Sequence, residues 1–155
     1  MSHHATINHW LRELSPADGG GFALDEDGVC LLVDTEGAVI RIEASEGNGR
    51  LYLVSHLAPV HGAVDASLMK MLLTANFLGL ETNGTVLAID ERSAQIALCY
   101  SADVSHLDAQ TLKTTIERFT DVRTTWSERI SRHVASAVSS APVHHIEHEA
   151  MMIRL

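Results

Sequence analysis

The 155-residue chain has the length of one domain, and its 46% apolar residues suffice to bury a substantial core. Twenty acidic and 11 basic residues leave a formal charge of −9 with no lysine- or arginine-rich run, which argues against nucleic-acid binding. The N-terminus lacks the basic start and long apolar stretch of a signal peptide, and no apolar run is long enough to span a bilayer. We therefore expect a soluble cytoplasmic domain.

The first predicted element is a helix from Ser2 to about Leu14. Its apolar residues fall at i, i+3, i+4 and i+7, which is one helical face: Ile7, Trp10, Leu11 and Leu14. Ser2 is a suitable N-cap, and Ser15-Pro16 followed by a glycine-rich stretch ends the helix.

Three strands are predicted next, at Val29–Val33, Ala38–Ala44 and Arg50–Leu57. The second strand alternates, with Ile40 and Ile42 on one face and Val39, Arg41 and Glu43 on the other. The connections are short and rich in turn-forming residues, which favours an antiparallel meander.

The second half of the chain begins with a helix predicted from Ala66 to about Leu78, capped by Asp65 and ended by Gly79. Two strands follow, at about Thr85–Ile89 and Gln95–Tyr100. Asp108 is suited to cap a long helix that runs from Ala109 to about Val138, because its apolar residues keep helical spacing throughout.

The predicted order is α-β-β-β-α-β-β-α, an α+β fold in which helices cover a twisted antiparallel sheet. We assign residues 1–138 to this domain and residues 139–155 to a mobile, histidine-rich tail that follows the helix breaker Pro142. Cys30 and Cys99 lie in separate apolar runs without CxxC spacing; buried free thiols are the simpler interpretation, and a disulfide stays open.

The chain carries no nucleophile elbow, phosphate-binding loop, dinucleotide fingerprint or HExxH motif, so we predict neither catalysis nor a cofactor. The tail places His144 and His148 at i, i+4, a spacing that suits zinc on a helix, but no third ligand is well placed nearby. They are weak candidates, and a solvated tail is the simpler interpretation. The alternative function is a small metal- or ligand-binding regulatory module that uses this tail.

The element order and three stretches of sequence together resemble the type III secretion chaperones of the Tir-chaperone family. The stretches are LLTANFLG at Leu72–Gly79, GTVLAID at Gly84–Asp90 and SAQIALCYSADVSHLDAQTLKTTIERFTDVRTTWSERI at Ser93–Ile130. The resemblance implies a homodimeric, non-enzymatic chaperone of the bacterial cytoplasm. Its expected partners are one or more secreted effectors, held extended through an N-terminal segment, a second copy of itself, and the secretion ATPase.

Such a function requires an open sheet edge for an extended client segment and apolar grooves for its side chains. The predicted effector-binding residues come from the first helix and the meander: Trp10, Leu11, Leu14, Leu31, Val33, Ile40 and Ile42. For any one of them, a place in the core is the simpler interpretation, because sequence does not say which sheet face a helix covers.

The second helix and the hairpin after it are predicted to form the dimer interface. The residues assigned to it are Leu68, Leu72, Leu73, Ala75, Phe77, Val86 and Ile89. The apolar residues surround the helix more broadly than one buried stripe requires, but a helix buried within a monomer explains the same pattern.

Overall fold

The computed structural model describes residues 2–15, 20–60 and 65–139. Helix α1 spans His3–Leu14, and Ser2 caps it as predicted, accepting a hydrogen bond from the backbone N–H of Ala5. The Glu46 carboxylate, in the turn after the second strand, accepts two more bonds from the start of α1, from the N–H groups of His3 and His4 at 3.1 and 2.8 Å. Because these donors have no intrahelical partner, Glu46 both satisfies them and fixes α1 to the sheet.

Within the described part of the chain, five strands form one antiparallel sheet in the order β1-β2-β3-β5-β4. Their bounds are β1 Val29–Val33, β2 Val39–Ser45, β3 Arg50–Pro59, β4 Val86–Asp90 and β5 Gln95–Asp103. The predicted meander is confirmed for β1 to β3, with bounds shifted by two residues or fewer. Strand β5 lies against β3, so β1 and β4 are the two edge strands.

One face of the sheet carries the core. Helix α1 packs against β2, and two further helices, α2 (Ala66–Ala75) and α3 (Ala109–Ser139), pack against β4 and β3. Side chains that alternate along the strands meet these helices in one buried cluster, which includes Ile40, Ile42, Leu51, Leu53, Leu87 and Leu98. The opposite face carries their neighbours in sequence, among them Leu31, Val39, Arg41 and Val54.

Helix α2 begins as predicted, with Asp65 accepting a hydrogen bond from the N–H of Ser67, but it ends three residues earlier than expected. Its C-cap is Asn76 rather than Gly79, and a 3-10 turn, Phe77–Gly79, follows. Leu78 in this turn has φ 57°, a left-handed conformation that a helix cannot contain. The apolar spacing continues past Ala75, and so the sequence pattern alone overestimates the helix.

Helix α3 starts at its predicted cap, where an Asp108 oxygen accepts a hydrogen bond from the N–H of Thr111 at 2.6 Å. Trp126 is buried in the core, and its indole N–H donates to the carbonyl of Glu81 at 3.3 Å. The guanidinium of Arg129 lies 4.5 Å from the centre of the Trp126 ring and binds the Glu81 carboxylate at 2.6 Å. These contacts join the C-terminal half of α3 to the loop that precedes β4.

Cys30 and Cys99 are both free thiols, Cys30 buried and Cys99 half-buried. Burial raises the pKa of each thiol, which keeps it in the unreactive protonated form. The interpretation as free cysteines therefore agrees with the structure.

Candidate functional site

The free edge of β1 exposes main-chain hydrogen-bonding groups. The N–H of Ala44 donates to the carbonyl of Gly28, and the N–H of Asp34 donates to the carbonyl of Ala38, so the even-numbered residues of this segment face β2. By the alternation of an antiparallel ladder, Val29, Leu31 and Val33 direct their N–H and C=O groups away from the sheet.

One end of that edge is closed within the chain. Val29 donates its N–H to an Asp25 carboxylate oxygen and accepts from the Asp25 N–H, both at 2.8 Å. Leu31 and Val33 have no such partner among the described residues, and their side chains are 59% and 66% exposed. Two consecutive outward positions of β1 are thus open to an added strand.

An apolar groove lies beside this edge, on the sheet face that the helices leave open. It encloses about 440 Å³ and is lined by four apolar residues, Leu31, Ala38, Val39 and Val54, and by four charged or ionisable residues. Those four are Arg41, His56, Asp90 and Arg123. A strand added to β1 would alternate its side chains between the two faces, and every second one would point toward this groove.

The charged groups around the groove are paired. Arg41 binds Glu43 at 2.8 Å and His56 binds Asp90 at 3.0 Å. Hydrogen bonds from the Ser93 hydroxyl and from His56 lower the pKa of the Asp90 carboxyl. Because these charged groups already have partners, the apolar side chains are the part of the groove that is left to bind a client.

The fourth charged group, Arg123 of α3, is almost enclosed. It binds the carboxylate of Asp34 at 3.4 Å, and both side chains are largely shielded from solvent. Its Nε is buried with no hydrogen-bond partner among the described residues. The pair joins α3 to the turn between β1 and β2, which fixes one end of the groove.

The structure divides the predicted effector-binding residues into three groups. Leu31 and Val33 are exposed on the β1 edge, and Trp10 and Leu14 are half-buried where α1 packs on the core. Leu11, Ile40 and Ile42 lie inside the core with 2% exposure or less. A client would contact those three residues only if α1 left the sheet. The surface open to a client therefore contains fewer residues than the sequence predicts.

A second apolar surface lies at the end of α2. We define the α2 patch as Leu73, Phe77, Leu78 and Leu80, whose side chains are 70–79% exposed. Four large apolar side chains so close in sequence and so exposed are typical of an interaction surface rather than of a free monomer surface.

The residues predicted for the dimer interface are also divided by the structure. Leu73 and Phe77 belong to the α2 patch, and Val86 and Ile89 are 51% and 40% exposed on β4. Leu68, Leu72 and Ala75 are buried in the core of the chain itself. Sequence reasoning did not assign Leu78 and Leu80, although the run Phe77-Leu78-Gly79-Leu80 after a helix is a signal that could have found them.

Asn76 has a role that its place in the sequence does not indicate. Its side-chain amide donates to the carbonyl of Leu87 and accepts from the N–H of Leu87, both at 2.9 Å. The residue therefore links the end of α2 to strand β4.

Within residues 2–15, 20–60 and 65–139, no group of three histidine, cysteine or acidic side chains is placed to hold a metal ion. Several histidines of this part lie near one carboxylate each; His133, for example, lies 3.2 Å from Asp65. His144 and His148 lie outside the described residues, as does the rest of the predicted tail from residue 140. None of the described helices is both long and apolar enough to cross a membrane.

Known structures share this fold. A chain in the crystal structure of the ExsC–ExsE complex matches with a TM-score of 0.71 at 18% identity, over 83% of this chain and 96% of that chain. A chain in the HopA1–SchA chaperone–effector complex matches with a TM-score of 0.65 at 21% identity, over 80% and 91%. In the ExoU–SpcU complex of the Pseudomonas aeruginosa type III secretion system, a chain matches with a TM-score of 0.59 at 21% identity, over 80% and 93%. The fold is thus of the class found in type III secretion chaperone–effector complexes.

The sequence itself supplies the family. Residues 9–127 match the profile of the Tir chaperone protein (CesT) family, which covers most of the chain. The chain belongs to that family, and the resemblance seen in the sequence is confirmed. No curated protein matches the chain.

Proposed function

We propose that this protein is a chaperone of the bacterial cytoplasm that binds the N-terminal segment of one or more secreted effectors and keeps it extended for type III secretion. The open edge at Leu31 and Val33, next to an apolar groove, is the observation that carries the proposal. The likeness to chains of the ExsC–ExsE and HopA1–SchA complexes supports it. The family is one of chaperones, so the proposed activity is binding rather than catalysis.

In this proposal the client segment adds to β1 as a sixth strand. Its main chain exchanges hydrogen bonds with Leu31 and Val33, which is independent of client sequence, and its alternate side chains pack against Leu31, Val39 and Val54. Main-chain bonding provides tolerance of several clients, and the groove requires apolar residues at every second position. A client held in this way cannot fold, because its segment is fixed in an extended conformation.

We further propose that two copies associate through the α2 patch, with Val86 and Ile89 of β4 beside it. A symmetric dimer brings the same patch of each copy into contact, which removes four exposed apolar side chains per chain from water. Contact with the secretion ATPase stays a prediction. The metal-binding alternative has no support in the described part of the chain, since its histidines lie outside it.

The tagged protein is first purified from its native host, and the client that co-purifies with it is identified by mass spectrometry. A version of this client is then made without its N-terminal segment. We expect the intact client to bind and the shortened one to be lost. Binding of both forms alike would contradict the proposal.

Two substitutions then separate main-chain from side-chain recognition. Leu31→Pro removes an N–H that points away from β2, so the ladder is kept while one client bond is lost, and affinity should fall by about 2- to 10-fold or more. Leu31→Ala keeps the N–H and tests the side chain alone. Equal affinity of Leu31→Pro and the unmodified protein would exclude strand addition at this position.

A further inference from the structure

The groove beside β1 contains one charged group whose hydrogen-bonding capacity is mostly unused. The guanidinium of Arg123 carries five N–H donors. Among the described residues it makes a single hydrogen bond, from Nη1 to a carboxylate oxygen of Asp34, at the long distance of 3.4 Å. The side chain is only 12% exposed, so water has little access to the remaining donors. A cation placed in this way is costly unless a ligand supplies acceptors.

The unused donors of Arg123 lie together on one edge of the guanidinium. Nε is buried without a hydrogen-bond partner, and Nη2 makes no hydrogen bond within the described part of the chain. By the covalent geometry of arginine, the N–H bonds of Nε and Nη2 on this edge are parallel, whereas Nη1, which binds Asp34, lies on the other side. Two parallel donors match the two oxygens of a carboxylate.

Asp34 does not supply that carboxylate. Its Oδ1 accepts from the N–H groups of Glu36 and Ala38 at 2.9 and 2.8 Å, which holds the turn between β1 and β2. Only Oδ2 faces Arg123, and the turn keeps the group from binding with both oxygens. Asp34 therefore positions the guanidinium at the end of the groove and leaves its other edge unbound.

The lining of the groove is positive although the chain is acidic. It contains two guanidinium groups, of Arg41 and Arg123, against the one carboxylate of Asp90, in a chain of formal charge −9. Arg41 and Asp90 already have close partners, at 2.8 and 3.0 Å. Arg123 is thus the charged group of the lining that has donors left for a ligand, and both its charge and its geometry fit a carboxylate.

We propose that Arg123 is a specificity-determining residue that selects clients with an aspartate or glutamate next to the apolar stretch of the added strand. The inference rests on the proposed function, because the carboxylate belongs to the segment that adds to β1. Arg123 lines the groove together with Leu31 and binds the turn that follows Val33. The acidic residue of the client therefore lies beyond the residue that pairs with Val33, and it fixes the register of the added strand.

Binding requires a small movement of Arg123, because Nε is shielded in the free chain. The guanidinium must rotate toward the groove, and a single bond of 3.4 Å resists this only weakly. The site is also separate from the surface proposed for the contact between two copies. That surface lies at β4, the opposite edge strand of the sheet from β1.

The test uses the full chain and pairs of model peptides that alternate valine and threonine. In each pair, one peptide carries aspartate at one end of this stretch and the other carries asparagine at the same place. A second pair has the variable residue at the opposite end, so that both directions of the added strand are covered. Calorimetry measures the dissociation constants. In one of the two pairs, the aspartate peptide should bind about 10-fold or more tightly than its asparagine partner.

Substitutions in the chain then assign this preference to Arg123. Arg123→Gln should bind the aspartate and asparagine peptides equally, and Arg123→Lys, which keeps the charge without the two parallel donors, should recover only part of the preference. Arg118→Gln is the matched control, because it removes an exposed arginine of the same helix that does not line the groove, and it should keep the full preference. Asp34→Asn keeps an oxygen for the turn but removes the competing charge, so it should strengthen binding of the aspartate peptide.

A spectroscopic readout separates direct contact from a merely structural effect. In ¹⁵N-labelled protein, the Nε–Hε signal of Arg123 is assigned by its loss in Arg123→Lys. It should shift downfield when the aspartate peptide is added and stay in place with the asparagine peptide. The amide signals of Leu31 and Val33 report strand addition in the same spectra.

An unmoved Arg123 signal, or a preference for aspartate that survives in Arg123→Gln, would overturn the inference. Equal binding of the two peptides with shifts at Leu31 and Val33 would leave strand addition intact and exclude the carboxylate site. Failure of the proposed function gives the reverse result: Leu31 and Val33 stay in place even where Arg123 responds to aspartate. If none of the peptides bound, both proposals would be contradicted.

Discussion

Truncation of Phe77 tests the proposed self-association. The side chain is 72% exposed in the chain, so burial against a second copy would remove most of its surface from water. Full burial of such a side chain contributes about 1.5–3 kcal/mol, and the exposed fraction therefore corresponds to roughly 1–2 kcal/mol. A symmetric dimer contains the residue twice, which makes the expected loss roughly 2–4 kcal/mol. Phe77→Ala should raise the dissociation constant of the dimer by roughly 30- to 1000-fold.

Sedimentation equilibrium over a range of concentrations measures that constant directly. Because the side chain is exposed within the chain, the variant should keep the far-ultraviolet circular dichroism of the unmodified protein. Leu31→Ala is the matched control, since Leu31 is 59% exposed but lies on β1, outside the α2 patch, and should leave the dissociation constant unchanged. An unchanged constant for Phe77→Ala, or an equal effect of both substitutions, would refute the assignment of the interface to this patch.

Three further predictions concern the fold. Trp126→Ala removes a fully buried indole and should lower the free energy of unfolding in urea by about 3–5 kcal/mol; a loss below 1 kcal/mol would contradict the core described above. Gly28→Ala adds a Cβ 2.6 Å from the carbonyl oxygen of Ala44 at a position with φ 77°. Gly37 has a similar φ of 81°, but a Cβ added there has no atom within 4 Å. Gly28→Ala should therefore be clearly more destabilising than Gly37→Ala in the same urea assay. Hydrogen bonds from the Ser67 hydroxyl and N–H and from His133 lower the pKa of Asp65 from 3.8 to about 2. The stability that Asp65 contributes is therefore complete above pH 3.8 and is lost as the pH falls toward 2. Asp65→Asn should make the urea midpoint less sensitive to pH in this window. If the urea midpoint of the variant depended on pH as steeply as that of the unmodified protein, the interactions of Asp65 would not contribute to stability.

The elements of this fold could be predicted because the signals for them are local. Ser2, Asp65 and Asp108 each precede a helical pattern and each caps a helix in the structure. The end of α2 was missed because its cause is distant in sequence. Apolar spacing favours a longer helix, but Asn76 is held by Leu87, and the chain turns there.

The candidate site could be predicted only in part, for the same reason. Alternation in the sequence correctly places Ile40 and Ile42 on one face of β2, but the helices that bury this face are chosen by the tertiary packing. The apolar character of Leu31 is visible in the sequence, while its position on an open edge follows from the order of the strands. That order places β5 between β3 and β4, a pairing that no local pattern specifies.

Addition of a client segment to the β1 edge can be tested by amide hydrogen exchange of this protein, measured with and without the N-terminal segment of the client that co-purifies with it. We expect the amides of Leu31 and Val33 to become strongly protected on binding, because they gain main-chain partners, while the amide of Ile89 does not. If Leu31 and Val33 exchanged as fast in the complex as in the free protein, the client strand would not lie on β1.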